Sequence, residues 1–328
     1  MKDNKYAVEI TAKEFKKKLA SLEDGYTLFE AEILQDSDYE QRAKLLDDEL
    51  PEAKSASEII GEVDPHTIDT QIWEDTPFDD FKNIGPHLSH YHGNTKLIEK
   101  YLSLWGDWHV GVFVDALSED ALIDHLRSLL LVNMPEEGEV HYRLQESRKL
   151  AGIINALDSE ERVSTLLGPI KSMVWQQNCG ADQAYFQVQN PNPHETNDSM
   201  GWFSFTPSEK QKIDKAELIW FKRSIVSSVL KTVENDATQV EHLKKYKPEE
   251  IESFLDNGYE AARKKKIYSE DGLRFFLINS LYYPEFMNDK DAARIVNQEH
   301  WVESKRLNQL KEMLESYKLE HTKQLSNS

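Results

Sequence analysis

Up to Phe205 the apolar positions switch repeatedly between helical and strand spacing, and beyond Phe205 only helical spacing is left. Thr11 followed by Glu14 forms a capping box ahead of Phe15, Leu19 and Leu22, which predicts a helix that ends at Asp24-Gly25. Tyr26 to Ile33 reads as a strand, and Tyr39 to Leu50 as a short acidic helix. His87 to Tyr91 reads as a second strand, Thr95 to Trp105 as a helix, and the β-branched run His109 to Asp115 as a buried strand. Ser118 caps a helix with Leu122, Leu126 and Leu129 on its apolar face. Leu129 to Met134 and Val140 to Leu144 flank the turn Glu136-Glu137-Gly138 as a hairpin. Short helices follow at Ser147 to Ala156 and Ser159 to Leu167, broken by Gly168-Pro169, then strands at Ile170 to Gln176, Tyr185 to Gln189 and Trp202 to Phe205. Asn190 to Met200 is rich in turn formers and reads as a loop.

Thr206-Pro207-Ser208-Glu209 is a helix start, and Ile213, Leu218, Phe221, Ile225, Val229 and Val233 then recur near one face. Pro248, Ser269, Asn288 or Asp289, and His300 begin further helices, and the tail from Tyr317 to Ser328 is expected to fray. The expected fold class is an α/β N-terminal lobe with a mixed sheet followed by an all-α helical C-terminal lobe. The expected domains are 1–205, which includes an acidic excursion at 36–82, and 206–328.

Composition narrows the function. Lys and Arg number 39 and Asp and Glu 59, so the net charge is 39 − 59 = −20. Such a surface repels phosphate backbones and anionic lipid headgroups, which disfavours nucleic acid and membranes as partners. Residues 36–82 hold fifteen acids against Arg42, Lys44, Lys54 and Lys82, so 15 − 4 = 11 of the excess negative charges sit there. With few strand or helix signals after Leu50, this stretch reads as a solvated loop, or else as an acidic arm for a basic partner. A single cysteine, Cys179, allows no internal disulfide and is expected to be a partly buried spectator. The first residues, MKDNKYAVEITAKEF, lack an apolar core of signal-peptide length, and no run spans a bilayer, so a cytoplasmic location is expected.

Candidate chemistry is sparse. Nucleophile elbows, P-loops and dinucleotide glycine fingerprints are absent from the sequence, which points away from an enzyme and from any cofactor. His87, His90 and His92 lie within six residues, and on a strand His90 and His92 share a face. Packing or surface histidines are the commoner outcome, and a metal-dependent hydrolase is a minor alternative. Arg127 and Arg143 lie beside strongly apolar sequence. A partly buried arginine needs a carboxylate, and Asp115, Asp124 and Glu146 are within reach of the pattern. The alternative is a fork that grips a carboxylate or carbonyls of a bound protein. Of the seven tryptophans, Trp105, Trp108 and Trp175 fall among core signals. Trp73, Trp220 and Trp301 do not, and Trp220 is a candidate interface residue.

The order of motifs from Gly85 to Trp175 resembles a family of type VI secretion effector adaptors, or chaperones, the Tap or Tec proteins. The residues that carry the resemblance are Pro86-His87-Leu88, Trp108 to Gly111, Leu122 with His125-Leu126-Arg127, Leu129 to Val132, Arg143 to Leu150, Gly168-Pro169 and Trp175. Gln145, Glu146 and Ser147 depart from the Tyr, Asp and Pro usual in the arginine motif, while Arg143, Arg148 and Leu150 keep it. The resemblance implies a non-enzymatic adaptor that binds an effector, commonly at its N-terminal region, and helps place it on the VgrG spike or its PAAR tip. Arg127, Arg143, Arg148 and Trp220 are then the candidate effector contacts, with Asp115 and Glu146 as structural ion-pair partners. Part of the contact is expected to be strand addition to a sheet edge. An immunity protein that blocks a co-encoded toxin is the rival reading.

Overall fold

The computed structural model describes residues 5–22, 25–45, 50–91, 93–179, 182–196, 199–235, 243, 245–298 and 300–326. It divides into two compact units, Met1–Leu218 and Ile219–Ser328, with the boundary inside one long helix.

The first unit is built on a seven-stranded sheet. Its strands are β1 (Val8–Ile10), β2 (Gly25–Glu30), β3 (Asp69–Gln71), β4 (Pro86–Tyr91), β5 (Gly111–Ala116), β8 (Ile170–Cys179) and β9 (Asp182–Gln189); the pair β6 (Leu131–Met134) and β7 (Gly138–His141) forms a separate hairpin. The order is β1-β9-β8-β5-β2-β4-β3, and every pairing is antiparallel. The α/β class is as expected, and the strand directions are a finer point than alternation of elements resolves.

Both faces of the sheet are covered. Because side chains alternate along a strand, Tyr26, Leu28, Leu88, Val112, Val114, Met173 and Trp175 enter one core, and Phe29, Tyr91, Phe113 and Val174 enter the other. The second core is closed by α1 (Ala12–Ser21), α2 (Ala31–Ala43), α3 (Ala56–Val63) and α4 (Thr95–Lys100). The first is closed by α5 (Glu119–Ser128), α6 (Ser147–Ala156) and α7 (Glu160–Leu167), with Ile213 from α8 (Pro207–Asn235). The helices are thus segregated by chain order, early ones on one face and later ones on the other.

The second unit is all-helical. Its elements are the end of α8, then α9 (Pro248–Lys264), α10 (Glu270–Tyr282), α11 (Pro284–Met287), α12 (Lys290–Val296) and α13 (Glu303–Ser326), around one core that includes Ile225, Leu255, Leu277 and Leu310. Ser269 and Asp289 cap α10 and α12 as their sequence positions suggest. The last helix begins at Glu303 rather than His300 and continues to Ser326 where fraying was expected. Tyr317 explains part of this, since its ring lies 6.3 Å from Tyr283 and 5.5 Å from Phe286.

Two sequence expectations are corrected in the first unit. The strand from Tyr26 ends at Glu30, and Ala31 onward is helix. The last rungs there, Glu30 N–H to Val110 O at 2.6 Å and Ala31 N–H to Gly85 O at 3.2 Å, mark where the sheet runs out. The acidic excursion is not a solvated loop among its described residues. Ser55 and Glu58 form a reciprocal capping box for α3, which buries Ile59 and Ile60. Trp73 is also buried, against Phe78 and His141, and the acids Asp38 and Asp64 are buried as well.

Candidate functional site

The motif residues from Gly85 to Trp175 act first as joints of the first unit. His125 on α5 is fully buried, with Nε2 2.9 Å from Leu166 O and Nδ1 2.9 Å from Thr196 Oγ1. Its ring lies against Gly168, whose φ of 52° and lack of a side chain are both required there, since a Cβ would come within 2.5 Å of the imidazole. Gly111 has the same kind of role in β5, where a Cβ would meet Leu28 O at 2.1 Å. The Asn190 to Met200 loop is tied to this joint by Asn190 Nδ2 and His194 N–H, both donating to Gly168 O.

A polar cluster lies where β2 ends. Glu30 is 2% exposed; Arg143 Nη1 donates to one of its oxygens at 3.2 Å and Gln145 Nε2 to the other at 2.5 Å. Burial pushes the Glu30 carboxyl above its ordinary range, and Arg143 and Gln145 oppose the shift. Arg148, in the first turn of α6, pairs with Glu146 at 3.0 Å, and its Nε is buried without an acceptor. Next to it Ser147 Oγ is 3.4 Å from His109 Nδ1. His109 holds a left-handed backbone, φ 59°. Burial, reinforced by the Arg148 charge, pushes its imidazole down to about 4. Arg143 and Arg148 each keep more than a third of the side chain in solvent, so a pair of arginines is displayed on a buried and braced base. Such forks suit carboxylates and backbone carbonyls.

The His109 environment gives a pH prediction. A histidine whose folded value lies below its unfolded value near 6.5 binds protons better when unfolded. Stability is therefore full above that value and falls as pH drops toward about 4. The His109→Asn variant, which tolerates the left-handed backbone, should flatten the decline by about 2 kcal/mol between pH 6.5 and 4 in urea titrations. An unchanged pH slope would exclude this role.

The other expected site residues are placed elsewhere. Arg127 makes no ion pair among the described residues; its Nε donates to Ile72 O at 3.2 Å, so a carbonyl serves where a carboxylate was expected. Asp115 pairs with Lys171 at 3.2 Å rather than with an arginine. Trp220 is in the second unit, partly buried against its core. Trp105 and Trp175 are fully buried, as their core signals suggested. His92 and the Cys179 side chain lie outside the described residues. His87 is buried with Nδ1 2.7 Å from Asp69 Oδ2, and His90 lies edge-on to Tyr26. Among the described residues no group of histidine, cysteine or acidic side chains is placed to hold a metal ion, and no helix is long and apolar enough to cross a membrane.

Sequence reasoning missed Glu30, the acid that braces Arg143, because its strand was read as running on to Ile33. It also missed Asn155, whose side chain accepts from Tyr6 and Ala7 N–H at 2.9 Å and donates to Ala7 O at 3.1 Å. That side chain pins the segment leading into β1 much as a neighbouring strand would.

Residues 45–164 match the family model of DUF4123, a domain of unknown function. The domain is associated with adaptor and chaperone proteins of type VI secretion. The matched stretch contains Pro86, Trp108, Gly111, the His125-Leu126-Arg127 motif, Arg143 and Arg148. No curated protein and no solved structure matches the chain.

Proposed function

We propose that this chain is a non-enzymatic adaptor that binds a type VI secretion effector, through the effector's N-terminal region, and loads it onto the VgrG or PAAR spike from the cytoplasm. The match of residues 45–164 to DUF4123 carries the reading. The arginine pair supports it: Arg143 and Arg148 sit within the matched stretch, partly open to solvent and braced by Glu30, Gln145 and Glu146. Held in this way, they lose little conformational freedom when an acceptor on the client arrives. Arg127 is directed at a backbone carbonyl of its own chain, and Trp220 belongs to the helical unit, so the contact role rests first on Arg143 and Arg148.

Co-expression with the effector encoded beside it tests the reading. The effector should co-purify with the wild-type chain and lose solubility and export when the chain is omitted. The double variant Arg143→Ala with Arg148→Ala should weaken the complex by about 1–3 kcal/mol, roughly ten- to a hundredfold in Kd. Equal effector stability and equal export with and without the chain would refute the adaptor role. Binding confined to the effector's toxin domain would point to an immunity protein instead.

A further inference from the structure

A second charged surface stands out against the acidic background. Helix α1 carries Lys13, Lys16, Lys17 and Lys18 in ten residues, with Glu14 as its one acid. Phe15 and Leu19 are fully buried in the sheet's core, which turns the opposite face to solvent. Lys13, Lys16 and Lys17 occupy that face and are exposed. Their spacing of three and four residues brings their Cβ atoms to about 5–6 Å of one another.

Among the described residues none of the three makes an ion pair or hydrogen bond, whereas Lys44, Lys54, Lys82, Lys149, Lys171, Lys210, Lys212 and Lys222 each pair with an acid. Glu14 is committed to the capping box, where Thr11 N–H and Oγ1 each donate to its carboxylate at 2.8 Å. Like charges at this spacing destabilise a helix. Glu14, exposed and three residues before Lys17, is the one acid that α1 sets against its four lysines. Outside the helix, Glu9 on the preceding strand β1 is exposed as well.

We propose that the exposed face of α1 bearing Lys13, Lys16 and Lys17 is a docking surface for an acidic segment of a protein partner. The choice of partner follows from charge and shape. Beyond about 8 Å at physiological salt the rest of the chain is screened, so a short acidic segment meets the local positive field and little of the −20 background. A nucleic acid presents one charge per ~1.7 Å of duplex and would run on past the lysines into that background. The face also has no aromatic side chain on which bases could stack. A membrane-surface helix would need its apolar side free, and here Phe15 and Leu19 are in the core. The surface lies outside the DUF4123 match and does not depend on the adaptor reading.

Fluorescence anisotropy with a labelled oligo-glutamate peptide tests the proposal on the full chain. Oligo-lysine, oligo-thymidine and phosphatidylcholine vesicles containing phosphatidylserine serve as competing probes. The oligo-glutamate peptide should bind the wild type in a salt-sensitive way. The triple variant K13Q/K16Q/K17Q should bind on the order of tenfold more weakly, with an unchanged circular dichroism spectrum, and K13R/K16R/K17R should restore binding. No binding of the peptide, equal binding by the glutamine variant, or tighter binding to vesicles or DNA would overturn it. The effector pull-down is read separately, so either result can fail alone.

Discussion

Replacing Glu209 with alanine is expected to lower the stability of the first unit by about 3–5 kcal/mol. Glu209 is fully buried and takes a two-pronged contact from Arg162, with Nε to Oε1 at 3.0 Å and Nη2 to Oε2 at 2.8 Å. Its oxygens also accept from Asp158 N–H at 3.2 Å and Thr206 N–H at 2.9 Å. Arg162 in turn donates to Ser204 O at 2.7 Å and lies 4.5 Å over the Phe203 ring. Truncation leaves a guanidinium without its counter-charge and two backbone donors without acceptors. Glu209→Gln keeps the shape and one acceptor, and should cost less than half as much.

Burial alone would raise the Glu209 carboxyl, but the donors from Arg162, Thr206 and Asp158 outweigh it and hold the group below its ordinary value. Its stabilising contribution is therefore full above the ordinary glutamate range and is lost as pH falls through the lowered value. Hydrogen exchange at α7 and the start of α8 measures the loss. An opening free energy that stays within about 1 kcal/mol of wild type would show that the network is dispensable.

Arg306→Ala should have a comparable effect on the helical unit, again about 3–5 kcal/mol. Arg306 is 4% exposed. Nη1 donates to Lys265 O at 2.7 Å and Val296 O at 2.8 Å, and Nη2 to Lys266 O at 2.7 Å. Those carbonyls lie at the ends of α9 and α12, where helices leave acceptors unpaired and a positive charge is favoured. One turn earlier Glu303 accepts from Tyr268 N–H at 2.8 Å and Ser269 N–H at 3.0 Å, which caps α10. The first turn of α13 therefore fastens three other helix ends. Arg306→Lys supplies the charge without the planar fork and should recover only part of the loss. Urea unfolding followed by circular dichroism gives the comparison. Equal midpoints for wild type and alanine variant would rule out the clamp.

These predictions concern contacts that the sequence alone did not reveal, while several of the helix starts were legible to the residue. Thr11 with Glu14, Ser118, Thr206 with Glu209, Ser269 and Asp289 all cap where their types and spacing suggest. A cap joins a side chain to a backbone amide two or three residues away, so the whole interaction is written in one short stretch. The same signal was present at Ser55 and Glu58, ahead of Ile59 and Ile60, and the density of acids around it hid it. Buried strands such as β5 were legible because both faces of the sheet are covered, which makes nearly every residue apolar.

What the sequence determined by itself, then, is many of the elements with their approximate ends, the split between α/β and helical character, and the charge that disfavours polyanions as general partners. The tertiary structure decided which charges meet: Glu30 with Arg143 across 113 positions, Glu209 with Arg162 across 47, and Arg306 with carbonyls up to 41 positions away. It also decided which charges meet no partner among the described residues, as with Lys13, Lys16 and Lys17 of α1. Local propensity and capping act within a few residues and leave a readable period. A buried charge finds its partner only after the sheet and helices have closed around it, and that pairing leaves no period in the chain.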